Sequence, residues 1–359
     1  MRPEPRSGPR RSMPWGDLPR GSFPGDGLAV IDKDPGVTSH DVVGAVRRLA
    51  GTKKVGHAGT LDPMATGVLC IGLGRATKLL RYVTGTAKEY EATIRFGIET
   101  STEDAQGEIM RARGAREADA AELARAMANL TGDVLQVPSS VSALKVEGRR
   151  AYDLVREGRE VVLDARPIRV DVFEAVGGPR FAEACGAPVF DVDVRVVCGA
   201  GTYVRALARD LGEELGFGAH LTSLRRTRVG PWDVGEAVSV RECADAVEAD
   251  RQMPVLTLVD LCRAMFPALE VSEEAARDLR MGRFVSADSP FDFLGVKAAA
   301  SDALAPSAAG RDAPGSGPDG RGSGSAVAVA WSGGTPVALV SRRGGGVKPD
   351  LLLTPASEE

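Results

Sequence analysis

Two stretches of the chain alternate apolar and polar residues with a period of two, and this alternation limits the folds that the chain can adopt. The apolar positions are Tyr90, Ala92, Ile94, Phe96 and Ile98 in the first stretch and Phe190, Val192, Val194 and Val196 in the second. A period of two is typical of a strand that buries one face. We therefore expect two half-buried strands, and a sheet with neighbours that run largely antiparallel.

Helical periodicity follows the second of these stretches and recurs elsewhere. One helix face is formed by Val204, Leu207, Ala208, Leu211 and Leu215, and glycines follow it. Residues 119–130 and 255–266 show similar patterns. Because strands and helices follow one another without a regular rhythm, we predict an α+β fold with a mixed, largely antiparallel central sheet and flanking helices.

Composition divides the chain into segments. Residues 1–26 are rich in proline, glycine and arginine, which predicts a disordered, mildly basic tail. Residues 27–250 form the predicted main domain. Strand patterns near 326–330 and 337–340 predict a small β-rich C-terminal domain over 251–359, interrupted by a disordered, linker-like insertion at about 305–325.

Several classes of protein are disfavoured by composition. No apolar run is long enough for a membrane span or a signal peptide, so we expect a cytoplasmic protein. The 3 histidines and 5 scattered cysteines give a metal site little to be built from. The net charge of -4 argues mildly against nucleic acid, although RNA meets only one face of a protein. Composition alone leaves the partner open.

The segment GHAGTLDPMATGVL, residues 56–69, is the most informative part of the sequence. Its glycines allow close approach of another backbone, and Pro63 keeps Asp62 out of helical geometry. A rigid loop therefore presents Asp62. Taken alone, an Asp-Pro pair is also a common turn, and His57 alone has a structural interpretation. The next segment, residues 72–78, lacks the ending of a phosphate loop, so we reject nucleotide binding there.

The same segment resembles the signature of the TruB-type pseudouridine synthases. Four further matches occur in family order, namely Lys88-Glu89-Tyr90, Pro138 to Lys145, Gly201 to Arg205 and Leu224-Arg225-Arg226. The resemblance covers about residues 27–238. A weaker likeness to the PUA-like RNA-binding domain of this family rests on residues 333–340 and 348–350.

The resemblance implies a fold and an activity. The fold is the pseudouridine synthase fold with a small PUA-like C-terminal domain. The activity is isomerisation of uridine 55 in the T loop of tRNA to pseudouridine, with no cofactor and no metal. Asp62 is implied to be the catalytic carboxylate, Arg205 its ion-pair partner, and Tyr90 the ring that stacks on the target uracil. Nucleophilic attack by Asp62 and removal of a ribose proton both stay open as routes.

Contacts to the RNA are implied for further residues. The target nucleotide must be flipped out of its loop, and His57 is implied to fill the gap. Leu224 is implied to line the pocket, Tyr203 to lie beside the active site, and Lys88 to support the site or a phosphate. The phosphate-contact candidates, for which a solvated charged face is an equal alternative, are Arg149, Arg150, Arg225 and Arg226.

Two other functions compete with this interpretation. One is a guide-RNA-dependent pseudouridine synthase inside a multi-protein particle, and the other is a non-catalytic tRNA-binding or tRNA-folding protein. The linker-like insertion offers no obvious docking surface, and the presence of Asp62, Tyr90 and Arg205 favours activity. We expect a monomer that binds the T stem-loop of tRNA without an obligate protein partner and without a membrane.

Overall fold

The computed structural model describes residues 13–115, 119–139, 145–146, 149–150, 163–286 and 327–354. The strands in this part are β1 Gly27–Lys33, β2 Val55–Ala58, β3 Thr66–Leu73, β4 Lys88–Phe96, β5 Ile98–Thr100, β6 Ile109–Ala112, β7 Gly132–Gln136, β8 Lys145–Val146, β9 Arg149–Arg150, β10 Arg166–Ala175, β11 Arg180–Ala184, β12 Ala187–Cys198, β13 Ala219–Val229, β14 Trp232–Asp233, β15 Leu256–Thr257, β16 Ala268–Glu270, β17 Val285–Ser286, β18 Val327–Ser332, β19 Thr335–Arg343 and β20 Gly346–Leu352. The α-helices are α1 Ser39–Ala50, α2 Leu80–Gly85, α3 Ala120–Asn129, α4 Val204–Glu214, α5 Val240–Glu248, α6 Leu258–Met265 and α7 Glu273–Arg280.

A large mixed sheet forms the centre of the molecule. Its main path runs β15-β1-β3-β13-β4-β12-β10-β7, and β2, β11 and β14 pair beside it. Strands β13 and β3 run parallel, whereas the other pairs of this sheet are antiparallel. The predicted α+β class with a largely antiparallel sheet is confirmed.

The alternating stretches occupy the middle of this sheet. Strand β4 pairs along its whole length with β12, from Phe96 opposite Phe190 to Lys88 opposite Cys198. Their apolar positions are buried, as the period of two predicts. The first strand ends earlier than predicted, because Gly97 has a φ of 102° that interrupts the extended chain.

The predicted helices at 119–130 and 204–215 are both present. Asp119 caps α3 by accepting hydrogen bonds from the backbone N–H groups of Ala121 and Glu122. Helix α4 buries Leu207, Ala208 and Leu211 against the sheet. The helix packs against β13.

The N-terminal segment differs from the predicted tail, which was expected to be disordered over residues 1–26. Residues 1–12 lie outside the described residues, but residues 13–26 pack on the main domain. Trp15 is 5% exposed and belongs to the main apolar core, and Met13, Leu18 and Phe23 pack against it. Four large apolar side chains in a short segment bury enough surface to order it.

The C-terminal residues form a second sheet in the order β16-β18-β19-β20-β17. The predicted small β-rich domain is thus present, while the predicted insertion at about 305–325 lies outside the described residues. An apolar cluster joins the two sheets, because Val329, Trp331 and Leu339 pack with Leu28 and Val68. Strand β15 of the predicted C-terminal domain pairs with β1. The predicted boundary at residue 250 stays a prediction.

Within the described ranges, no helix has the length and apolar character needed to cross a membrane.

Candidate active site

Asp62 lies on the loop that connects β2 to β3. The loop is held against the start of α1, where the Ser39 hydroxyl donates to the Leu61 carbonyl at 3.1 Å and accepts from the Leu61 N–H at 2.9 Å. The backbone N–H of Gly36 donates to the Pro63 carbonyl at 2.7 Å. These bonds fix the residues on both sides of Asp62, while its own side chain stays 35% exposed. The loop presents a carboxylate to solvent from a rigid support, as predicted.

Arg205 grips this carboxylate with two hydrogen bonds. Its Nε donates to Asp62 Oδ2 at 2.9 Å and its Nη2 to Asp62 Oδ1 at 3.3 Å. The side chain of Arg205 is only 4% exposed, since the first turn of α4 places it beneath the loop. A bidentate pair of hydrogen bonds of this kind fixes the direction of the carboxylate. The structure thus joins the two residues that lie far apart in sequence.

The remaining donors of Arg205 are fixed by a second set of groups. Its Nη1 donates to the Thr102 carbonyl at 2.7 Å and to the Ser139 hydroxyl at 3.2 Å. Asp104 Oδ2 lies 3.9 Å from the same nitrogen, and the Asp104 side chain is 6% exposed. The guanidinium group of Arg205 is therefore held from two sides and has little freedom to move away from Asp62.

Tyr90 is the third residue of β4 and lies directly opposite Val196 and Arg226 on the neighbouring strands. It is 8% exposed, and burial raises its pKa, so the hydroxyl stays protonated near neutral pH. The charge of Asp62 acts in the same direction as burial. A flat, neutral ring suits contact with a nucleobase.

Lys88 is buried, and its ammonium group donates to two backbone carbonyls. The acceptors are Thr84 and Thr86, the second at 2.6 Å. Burial lowers the pKa of Lys88 to about 8, and the charge of Arg226 acts in the same direction. Lys88 therefore holds the turn that leads into β4, and its burial does not agree with a surface phosphate contact. Its predicted support of the site stays a prediction.

The two neighbouring arginines of β13 have different surroundings. Arg225 is half-buried and binds Asp32 with both terminal nitrogens, at 3.1 and 2.6 Å. Arg226 is 1% exposed, and its guanidinium donates to the carbonyls of Val68 and Gly59. A side chain with so little exposure is out of reach of a phosphate, so the prediction of a phosphate contact is wrong for Arg226.

The predicted site residues His57, Leu224 and Tyr203 lie on β2, on β13 and at the N-cap of α4. His57 lies on β2 just before the Asp62 loop, and burial lowers its pKa, so the ring is neutral at physiological pH. Leu224 is 7% exposed and packs in the main core. The backbone of Tyr203 exchanges two hydrogen bonds with the Gln136 side chain at the start of α4. Arg149 and Arg150 form strand β9, and their side chains lie outside the described part of the chain.

Sequence reasoning missed several residues of this site. Lys33 is 1% exposed and donates to the carbonyls of Asp34, at 2.9 Å, and Pro63, at 3.4 Å, and burial lowers its pKa to about 8. Asp104, Ser139 and Gln136 hold Arg205 and Tyr203. Asp104 lies in a polar, glycine-containing segment that resembles an ordinary surface turn. Nothing in the local sequence marks it as a partner of Arg205, because the contact depends on the fold.

Comparison with known proteins identifies the class of this fold and site. The profile of the TruB family pseudouridylate synthase N-terminal domain matches residues 47–204. The profile of the tRNA pseudouridylate synthase B C-terminal domain matches residues 205–268. Fold and profiles together define a pseudouridylate synthase. The chain belongs to the TruB family of these enzymes.

Relatives of known name agree with this assignment. A tRNA pseudouridine synthase B of Arthrobacter sp. strain FB24 is 47% identical over 93% of this chain and 98% of its own length. One of Mycobacterium leprae is 51% identical over 73% of this chain and 80% of its own length. A solved Cbf5-Nop10-Gar1 complex contains a chain of similar fold, with a TM-score of 0.62 and 22% identity, covering 96% of this chain and 92% of that chain. The structural likeness concerns the fold alone.

Proposed function

We propose that this chain is the isomerase that converts uridine 55 in the T loop of tRNA to pseudouridine, with Asp62 as its catalytic carboxylate. The observation that carries the proposal is the pair of hydrogen bonds from the buried Arg205 to the partly exposed carboxylate of Asp62. The relatives named tRNA pseudouridine synthase B support tRNA as the substrate.

The reaction conserves atoms and electrons. The bond from C1′ of the ribose to N1 of uracil breaks, the base turns, and a bond from C1′ to C5 forms. The proton on C5 leaves and N1 gains one. An ionised Asp62 serves this change either by adding to the substrate as a nucleophile or by taking a ribose proton. Arg205 acts in both routes by holding the carboxylate in one direction, and the neutral ring of Tyr90 contacts the uracil.

The uridine must leave its loop to reach Asp62, which costs a few kcal/mol. His57 precedes the Asp62 loop, and its ring fills the space that the flipped base leaves. Leu224 lines the pocket beneath the base, and Arg225, although paired with Asp32, is exposed enough to contact a phosphate. The C-terminal sheet and the strand of Arg149 and Arg150 supply further contacts to the tRNA. The chain acts in the cytoplasm as a monomer, without an obligate protein partner.

The test is to incubate the purified chain alone with an unmodified tRNA transcript and to map pseudouridine by chemical labelling and reverse transcription. We expect one new pseudouridine, at position 55, and none in a transcript with cytidine there. Modification that appears only after a guide RNA or protein partner is added would contradict the proposal, and so would a product at another position.

A further inference from the structure

Arg226 is a buried cation whose side chain binds the chain on both sides of the Asp62 loop. Its Nε donates to the Val68 carbonyl at 2.7 Å and its Nη2 to the Gly59 carbonyl at 3.1 Å. Its charge also acts on Tyr90, where it opposes the rise in pKa that burial causes. One planar group therefore binds the chain before the Asp62 loop and the chain after it.

The backbone of Arg226 connects the same elements. In the sheet, Arg226 pairs with Gly67 of β3 on one side, where the strands run parallel. On the other side it pairs with Tyr90 of β4, where the strands run antiparallel. The approach at Gly67 is close, because a Cβ there would lie 2.1 Å from the carbonyl oxygen of Arg226. Side chain and backbone thus hold the loop and the strand of Tyr90 in one register.

Stability alone does not explain a charge at this place. Among the described residues, the hydrogen bonds of the Arg226 guanidinium to the Asp62 loop end on carbonyl oxygens, and no ion pair with a carboxylate is present. Burying a cation among neutral acceptors costs free energy, and an apolar side chain of similar length would fill the space at a lower cost. An apolar side chain lacks the planar guanidinium group, whose N–H donors point in fixed directions.

We propose that Arg226 is a positioning residue that fixes both ends of the Asp62 loop in register with the strand of Tyr90, so that carboxylate and ring meet the flipped uridine in reactive geometry. This inference rests on the function proposed above. Arg226 does not touch the substrate, so it acts on the rate of the chemical step and not on binding of tRNA.

The experiment compares Arg226→Met and Arg226→Lys with Arg228→Met, a control on the same strand that removes an exposed arginine paired with Glu89. Single-turnover rates at saturating tRNA and tRNA affinities are measured well below the melting temperature of each variant. We expect Arg226→Met to bind tRNA like the wild type and to react about 100-fold more slowly, as for a small misplacement of reacting groups. Arg226→Lys keeps the positive charge but lacks the planar guanidinium, so we expect it to recover only part of the rate. Arg228→Met should react like the wild type.

Two results would overturn the inference. A folded Arg226→Met variant with the wild-type rate would show that the arginine only fills space, and weaker tRNA binding with an unchanged rate at saturation would show a phosphate contact. In either case an active wild type leaves the proposed function intact. A wild type that forms no pseudouridine under the same conditions would contradict the proposed function itself.

Discussion

Two groups of cations lie in the same sheet and differ in what they bind. The first, which we call the surface ladder, lies on β4, β11, β12 and β13 and consists of Arg95, Arg180, Arg195 and Arg228. Each of these arginines binds a carboxylate and keeps 28% or more of its side chain exposed. The second group is buried within the sheet and consists of Lys33, Lys88 and Arg226, which are at most 6% exposed and donate to backbone carbonyls.

The difference separates charges that form ion pairs at the surface from charges that hold segments of the chain in position. Exposed ion pairs contribute little, since water and salt screen them. Buried cations that bind only carbonyls cost free energy, so their presence is explained by the chain segments that they hold. The segments held by Lys33 and Arg226 include Pro63 and Gly59, which flank Asp62.

Arg205 combines both patterns, being buried like one group and bound to a carboxylate like the other. We predict that Arg205→Lys lowers the single-turnover rate about 100- to 1000-fold, the range for loss of one preorganised electrostatic contact. A lysine cannot bind both oxygens of Asp62 at once. The same change in the ladder, Arg95→Lys, is the control and should leave the rate unchanged. Equal rates for the two variants would contradict the distinction between the groups.

Lys88 tests the energetic cost of the buried group. Its pKa falls from 10.5 to about 8 in the folded protein, so between these pH values the unfolded chain holds a proton that the folded chain has lost. Folding is therefore favoured as pH rises through this window. We predict that Lys88→Met removes this gain, so that the stability of the wild type relative to the variant rises by about 1 to 3 kcal/mol from pH 8 to 10.5.

The measurement is urea unfolding of both proteins at several pH values in this window. Taking the difference between the two proteins removes the contribution of other titrating groups, such as the buried Cys70, whose pKa burial raises to about 12. Parallel stability curves for the two proteins would show that Lys88 carries no such cost.

The smallest effect is expected in the surface ladder. Arg95 binds Asp191 through Nε and Nη2, both at 2.8 Å, in a half-buried position. We predict that Arg95→Gln lowers the unfolding free energy by about 0.5 to 1 kcal/mol and that the loss shrinks at high salt. Urea unfolding at low and high ionic strength checks this. A larger loss that does not respond to salt would place the ladder with the buried group.

The sequence predicts the middle of the sheet well, because the period of two in β4 and β12 is a local property of the chain. The difference in burial between Arg225 and Arg226 could also have been predicted from the sequence. Leu224 and Arg226 are two positions apart, so they share the buried face of β13. The packing of residues 13–26 on the main domain was not predicted, because the many prolines and glycines of this segment outweighed its few apolar residues around Trp15. The contacts of Asp104 and Ser139 with Arg205 join distant segments, and no local pattern contains them.

The central claim is that Asp62, held by Arg205, performs the chemistry. The most direct measurement compares Asp62→Asn with the wild type for tRNA affinity and for pseudouridine formed in a single turnover. The amide keeps the shape of the side chain and removes its charge, so we predict normal binding and no pseudouridine above background. An Asp62→Asn protein that still modifies uridine 55 at the wild-type rate would contradict the claim.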